Sequence, residues 1–145
     1  MAIPFTYQEL KRAWRQLSSI CKPVAGNTRT NQHRLLLFYA AECGLKAVWL
    51  KRRQKSFFDD IDIQATGHDL GKILSALRVG SQVSIPINIQ MSPVVIQGKK
   101  QIPRNGGIEI LHQVWRYGGQ CLHPTDMACE QQLEQVLDWI QGELQ

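Results

Sequence analysis

His112 and Arg116 stand four residues apart, a spacing that puts both side chains on one face of a helix. Arg104 and Asn105 lie just upstream of the same segment. An imidazole and guanidinium groups together suit metal-independent RNA cleavage. The ring moves a proton to or from the attacking 2′-hydroxyl or the leaving oxygen, and the guanidinium stabilises charge on the phosphoryl oxygens. In that reading the imidazole is that of His112 and the guanidinium that of Arg116, or of Arg104 upstream. The same residue types near helix ends also serve as plain caps and ion pairs, and the spacing alone leaves both readings open. Arg29 and His33, flanking the entry to the long apolar segment HRLLLFYAAECGLKAVWLKRR, and Lys99 and Lys100, in the basic stretch QGKKQIPRNGG, are the further candidate RNA contacts. His68, in Gly67-His68-Asp69, sits where a helix begins and reads as part of a cap.

No phosphate-binding glycine loop, HExxH or GxSxG motif occurs, and no cofactor is expected. Cys121, His123 and Cys129 would need a fourth ligand to hold a tetrahedral ion, and their spacing fits a turn between helices better, so no metal is assigned. The remaining cysteines are Cys21 and Cys43, the latter inside an apolar run where a thiol packs as a small hydrophobe. With no CxxC pair, a disulfide framework is not expected.

The elements that must position these residues are mostly helical. Thr6 and Glu9 form a capping-box pattern, Phe5 and Leu10 a hydrophobic staple, and Tyr7, Leu10, Trp14, Leu17 and Cys21 follow at helical spacing. After a loop, Thr30 or Asn31 is placed to cap HRLLLFYAAECGLKAVWLKRR, a segment apolar nearly all round. Such a helix is buried on most faces and belongs at the centre of a bundle. Within it, Gly44 allows close approach by a neighbour, and Glu42 and Lys46 are spaced to pair. Residues 54–66 read as a loop with an acidic cluster at Asp59, Asp60 and Asp62. A short helix follows with Leu70, Ile73, Leu74 and Leu77 on one face. Val83, Ile85, Ile87 and Ile89 then alternate as in a strand, Pro86 argues for an edge, and VVIQ is its expected partner. Helices resume near Gly107 and after Pro124, the last capped by Thr125. The fold expected is a single mainly α domain over residues 1–145: a small four- to five-helix bundle with a β-hairpin-like insertion near residues 81–107.

Net charge is +5, unevenly spread. Residues 1–58 carry eleven Lys or Arg against Glu9 and Glu42, whereas residues 122–145 carry five acids and no base. Either the two halves attract one another on folding, or the basic half offers a surface to a polyanion such as RNA. No apolar run is long enough to span a bilayer, and MAIPFTYQELKRAW lacks the order of a signal peptide, so the expected compartment is the cytoplasm with no membrane partner.

Three segments carry a family resemblance. HRLLLFYAAECGLKAVWLKRR, GHDLGKILSAL and LHQVWRYG resemble, in that order, the central, following and closing helices of the HEPN superfamily of small helical bundles. The resemblance implies a homodimer acting on RNA or binding nucleotides, in toxin–antitoxin, antiviral or other defence systems. In active members an Arg, commonly followed by Asn, Asp or His, and a later His carry cleavage across the dimer interface. Here Arg104-Asn105 opens the motif, but seven residues separate Arg104 from His112 and two glycines fall between. Arg29 and His33 are separated by three residues, and His112 and Arg116 run in reverse order. The resemblance therefore implies one of two functions: a metal-independent endoribonuclease, or a non-catalytic module binding a protein partner, nucleotide or nucleic acid.

Overall fold

The computed structural model describes residues 3–23, 28–67, 69–79, 83, 85–86, 88–98 and 100–145. The chain is mainly helical, with two small antiparallel strand pairs. Helix α1, Tyr7–Ile20, opens on the expected capping box: Thr6 Oγ1 accepts from Glu9 N at 3.1 Å, and Glu9 Oε1 accepts from Thr6 N at 2.9 Å. Phe5 is half exposed and belongs to strand β1, Phe5–Thr6, which pairs with β2, Phe57–Phe58.

Helix α2, Asn31–Arg53, is the hub. Thr30 caps it, and Leu37, Ala40, Ala41, Leu45, Ala47 and Leu50 have no exposed surface. Helices α1, α5 (Leu111–Arg116) and α6 (Asp126–Leu144) pack around it. Gly44 is where three helices meet. A Cβ there would lie 2.8 Å from both Ile140 of α6 and Trp14 of α1, so only glycine admits this approach. Glu42 and Lys46 pair at 3.1 Å, as their spacing predicts.

Two sequence expectations are corrected. The acidic stretch read as a loop is the start of helix α3, Asp60–Thr66. Asp59 caps it by accepting from Ile61 N and Asp62 N, and Asp62 accepts from Asp59 N at 2.9 Å. Asp62 is itself buried and takes hydrogen bonds from Trp49 Nε1 at 2.9 Å and Lys55 Nζ at 2.6 Å. Asp59 and Asp62 therefore nucleate the turn, and Asp62 locks it to α2. Helix α4, Leu70–Ala76, follows, capped by Asp69. His68, read as part of that cap, lies outside the described residues.

The second correction moves the hairpin along the chain. Val83, Ile85 and Pro86 form no strand; Val83 is buried and Ile85 packs on the core. Strand β3 begins at Ile89 and runs to Ile96, so VVIQ lies within it or at its end. Its partner, β4, Lys100–Gly106, comes from the basic stretch read as a loop. Pro93 and Pro103 disguise both strands in the sequence. A two-stranded ribbon has free edges, where a residue without an N–H is tolerated. The ribbon is fastened at its base, where Gln90 N donates to His123 O and Gln90 O accepts from Leu122 N, each at 2.8 Å.

Among the described residues no helix is long and apolar enough to cross a membrane.

Candidate functional site

The side chains proposed for chemistry divide between two faces of α5. Strand β4 carries Arg104 opposite Met91 and Asn105 opposite Gln90. Arg104 Nε donates to Ser92 O at 2.9 Å across the ribbon and stays exposed. Both residues line a cleft of about 330 Å³ between the ribbon and α5, together with Met91, Gln113, Tyr117 and Gly119. The apolar floor is tight, because a Cβ on Gly119 would fall 2.6 Å from the Met91 methyl group. Tyr117, at the end of α5, is 76% exposed. Among the described residues none that lines the cleft is acidic.

His112 and Arg116 point elsewhere, towards α2. The His112 ring packs on Phe38 at 5.5 Å between centroids, and Arg116 Nη2 donates to the Tyr39 hydroxyl. Successive helix residues turn by about 100°. Gln113 and Tyr117 thus form one stripe, facing the ribbon, and His112 and Arg116 form the next. The four candidate catalytic residues do not share a cavity. Arg104 and Asn105 come together, as do His112 and Arg116, and α5 separates the pairs.

Tyr117 links the two stripes. The Tyr39 hydroxyl first, and Tyr117 beside it, hold the Arg116 guanidinium proton more firmly than usual. His112 Nδ1 lies against the Glu109 carbonyl, which can only accept. Nδ1 therefore carries a proton, and in neutral His112 the lone pair falls on Nε2.

The other basic candidates have different surroundings. Arg29 is 8% exposed; its Nε donates to Cys21 O at 2.7 Å, and its Nη1 meets Glu130 at 3.0 Å and also Glu134. Arg34 joins the same cluster, bonding Glu130 at 2.8 Å. Arg29 thus ties the chain before α2 to α6, and it presents no free charge to a ligand. His33 is half-buried and lies 3.0 Å from Thr30 Oγ1 at the cap of α2. Lys100 is exposed on the ribbon, and Lys99 lies outside the described residues.

Among the described residues no group of three or more His, Cys, Asp or Glu is arranged to hold a metal ion. Cys121 and Cys129 are buried, and the nearby Asp126 takes hydrogen bonds from Trp115 Nε1 at 2.9 Å and Cys121 N at 3.1 Å. That segment is a fastened turn between α5 and α6.

Sequence reasoning missed Gln113, Tyr117 and Tyr39. The signal for Tyr117 was its position directly after Arg116 at a glycine-terminated helix end; Tyr39, in another helix, left none. No protein-family model, curated protein or solved structure matches the chain.

Proposed function

We propose that this chain is a HEPN-like RNA-binding module that holds unpaired bases and their phosphates across the α5–ribbon face. The observation that carries the reading is the cleft itself. Arg104, Asn105, Gln113 and the exposed Tyr117 converge there without a carboxylate among the lining residues, and Arg116 adjoins Tyr117. Single-stranded RNA is recognised by stacking on aromatic rings, by amide groups facing base edges and by cations along the backbone, and this face offers all three. Lys100, further out on the same ribbon, extends the cationic path.

Fluorescence anisotropy with a labelled single-stranded RNA tests this. Binding should weaken with rising salt, since bound phosphates release counterions. Tyr117→Ala and Arg104→Ala should each reduce affinity about tenfold, and a matching RNA duplex should compete poorly. Unchanged affinity in both variants, or no binding in low salt, overturns the reading.

One observation favours the endoribonuclease reading as the second: the Nε2 lone pair of His112 has the tautomer a general base requires, and Arg116 lies one turn away. That reading predicts RNA cleavage in EDTA that His112→Ala abolishes while leaving the helical signal intact. The family resemblance adds a homodimer and a defence-system setting to either reading. Sedimentation of the purified chain addresses the first, and co-purification of a stoichiometric partner protein addresses the second.

A further inference from the structure

Beyond the cleft the ribbon carries apolar residues that the bundle does not use. Met91, near its base, packs against the core, and its methyl group lies beside Gly119 after α5. Arg104 is its cross-strand partner, so both side chains belong to the face turned towards α5. Every second residue along β4 returns to that face, which brings Ile102 and then Lys100 after Arg104. Their partners on β3 are Val94 and Ile96. A bulge between Met91 and Val94 takes up one extra residue of β3 and leaves the alternation of β4 intact. Val94 and Ile102 are half-buried, and Ile96 is 49% exposed. Unlike Met91, none of these three packs on the core among the described residues.

A two-stranded ribbon is marginally stable by itself in water, and an apolar pair on its face adds most when something covers it. Charge indicates what covers this one. Lys100 and Arg104 flank Ile102 on the same face, about 13 Å apart along an extended strand. Neither strand holds an acid, since none occurs between Asp69 and Glu109. Arg104 donates from Nε to Ser92 O, which leaves its Nη groups for a ligand. The order along the face is cation, apolar pair, cation. Single-stranded nucleic acid has the matching order of phosphate, flat base, phosphate. The same face leads into the cleft lined by Arg104, Gln113 and Tyr117.

We propose that the ribbon is a second base platform for single-stranded RNA, continuing the track that starts in the α5 cleft. This deepens the RNA reading of the cleft and rests on it. One base stacks on Tyr117, and the adjoining phosphate meets Arg104. The next base lies on Val94 and Ile102, and Lys100 holds the phosphate after it. Ile96 bounds the track near the tip. The ligand is therefore a strand whose full grip extends past two nucleotides, and a mononucleotide is a poor substitute for it.

The test compares a dinucleotide with a hexanucleotide, each displacing a labelled single-stranded RNA from the full-length protein. The dinucleotide covers the cleft and the Val94–Ile102 pair and stops short of Lys100. The hexanucleotide should bind at least tenfold more tightly. Lys100→Ala and Ile102→Ser should each weaken the hexanucleotide about tenfold, and Lys100→Ala should leave the dinucleotide unchanged. In Lys100→Ala the slope of log affinity against log salt should fall by about 0.7, the share of one single-strand phosphate. Gln101→Ala, on the opposite face of β4, should bind like the unaltered chain. Lys100 is exposed, so its variant keeps the test open if Ile102→Ser disrupts the ribbon. Equal binding of the two lengths, or hexanucleotide binding unchanged in both variants, overturns the platform and leaves the cleft reading standing. No RNA binding in low salt removes both. A poly-glutamate peptide that displaces the RNA as well as the hexanucleotide does marks a surface for acidic peptides and also overturns the proposal.

Discussion

Arg29 and Arg104 are the same residue type in opposite circumstances. At the α2–α6 seam, Arg29 and Arg34 are enclosed with Glu130 between them, and Arg52 near the far end pairs with Glu143. Arg104 on the ribbon bonds a backbone carbonyl, and Arg116 on the α2-facing stripe of α5 bonds a phenol, so both meet neutral oxygens. Positive charge in this sequence thus does two jobs. The acidic last helix neutralises the arginines that join the halves of the chain, and no acid lies between Asp69 and Glu109, the span that builds the ribbon. A net-charge count merges these populations, and only the location of the acids separates them.

That contrast can be broken most forcefully at the seam. Glu130→Ala removes the carboxylate that both guanidinium groups share and leaves their charge enclosed. We expect a loss of about 3 kcal/mol in urea denaturation. A loss below about 1 kcal/mol would show the seam to be ornamental, in line with ordinary surface pairs. Next comes Gly44→Val, which forces side-chain atoms into Ile140 and Trp14 and should cost roughly 2 to 3 kcal/mol by the same measurement.

Acid stability should show a slightly smaller effect, through Asp62. Burial alone would raise its pKa, but Lys55, the Asp59 N–H and the Trp49 indole outweigh that and hold it at about 2. The folded value lies below the ordinary value of about 3.9, so its contribution is complete above roughly pH 4 and is lost as pH falls through about 2. The amount is about 2 kcal/mol, and Asp62→Asn should flatten the stability profile across that window. The smallest stability effect belongs to the exposed face. Arg104→Ala should change unfolding free energy by less than about 0.5 kcal/mol while RNA affinity falls about tenfold, so one substitution separates the two populations of charge.

Much of the fold was legible because its signals are local. Thr6 with Glu9, Thr30 and Thr125 all cap the helices their side chains announced. The apolar run from Leu35 to Leu50 had no amphipathic face to expose, and it became the hub. Gly44 and the Glu42–Lys46 pair were readable for the same reason. The misreadings have physical causes. Asp59 and Asp62 cap reciprocally, but a helix as short as α3 has too few apolar positions to show a period. The ribbon was displaced because Val83 and Ile89 are both buried, which mimics alternation ahead of the point where β3 begins. The site was harder still. Arg29 carried the same charge as Arg104, and only the arrival of Glu130 and Glu134 from a hundred residues away made it an internal tie. Arg104 and His112 were joined by proximity along the chain, whereas α5 sends them to different sides.

The backbone bonds between Gln90 and residues 122–123 give the ribbon a fulcrum. Beyond that pivot the strands run out to Ile96 and Lys100 with one another as partners, like the free arm of a lever. Shortening the arm would change the reach of Lys100 and leave the pivot standing.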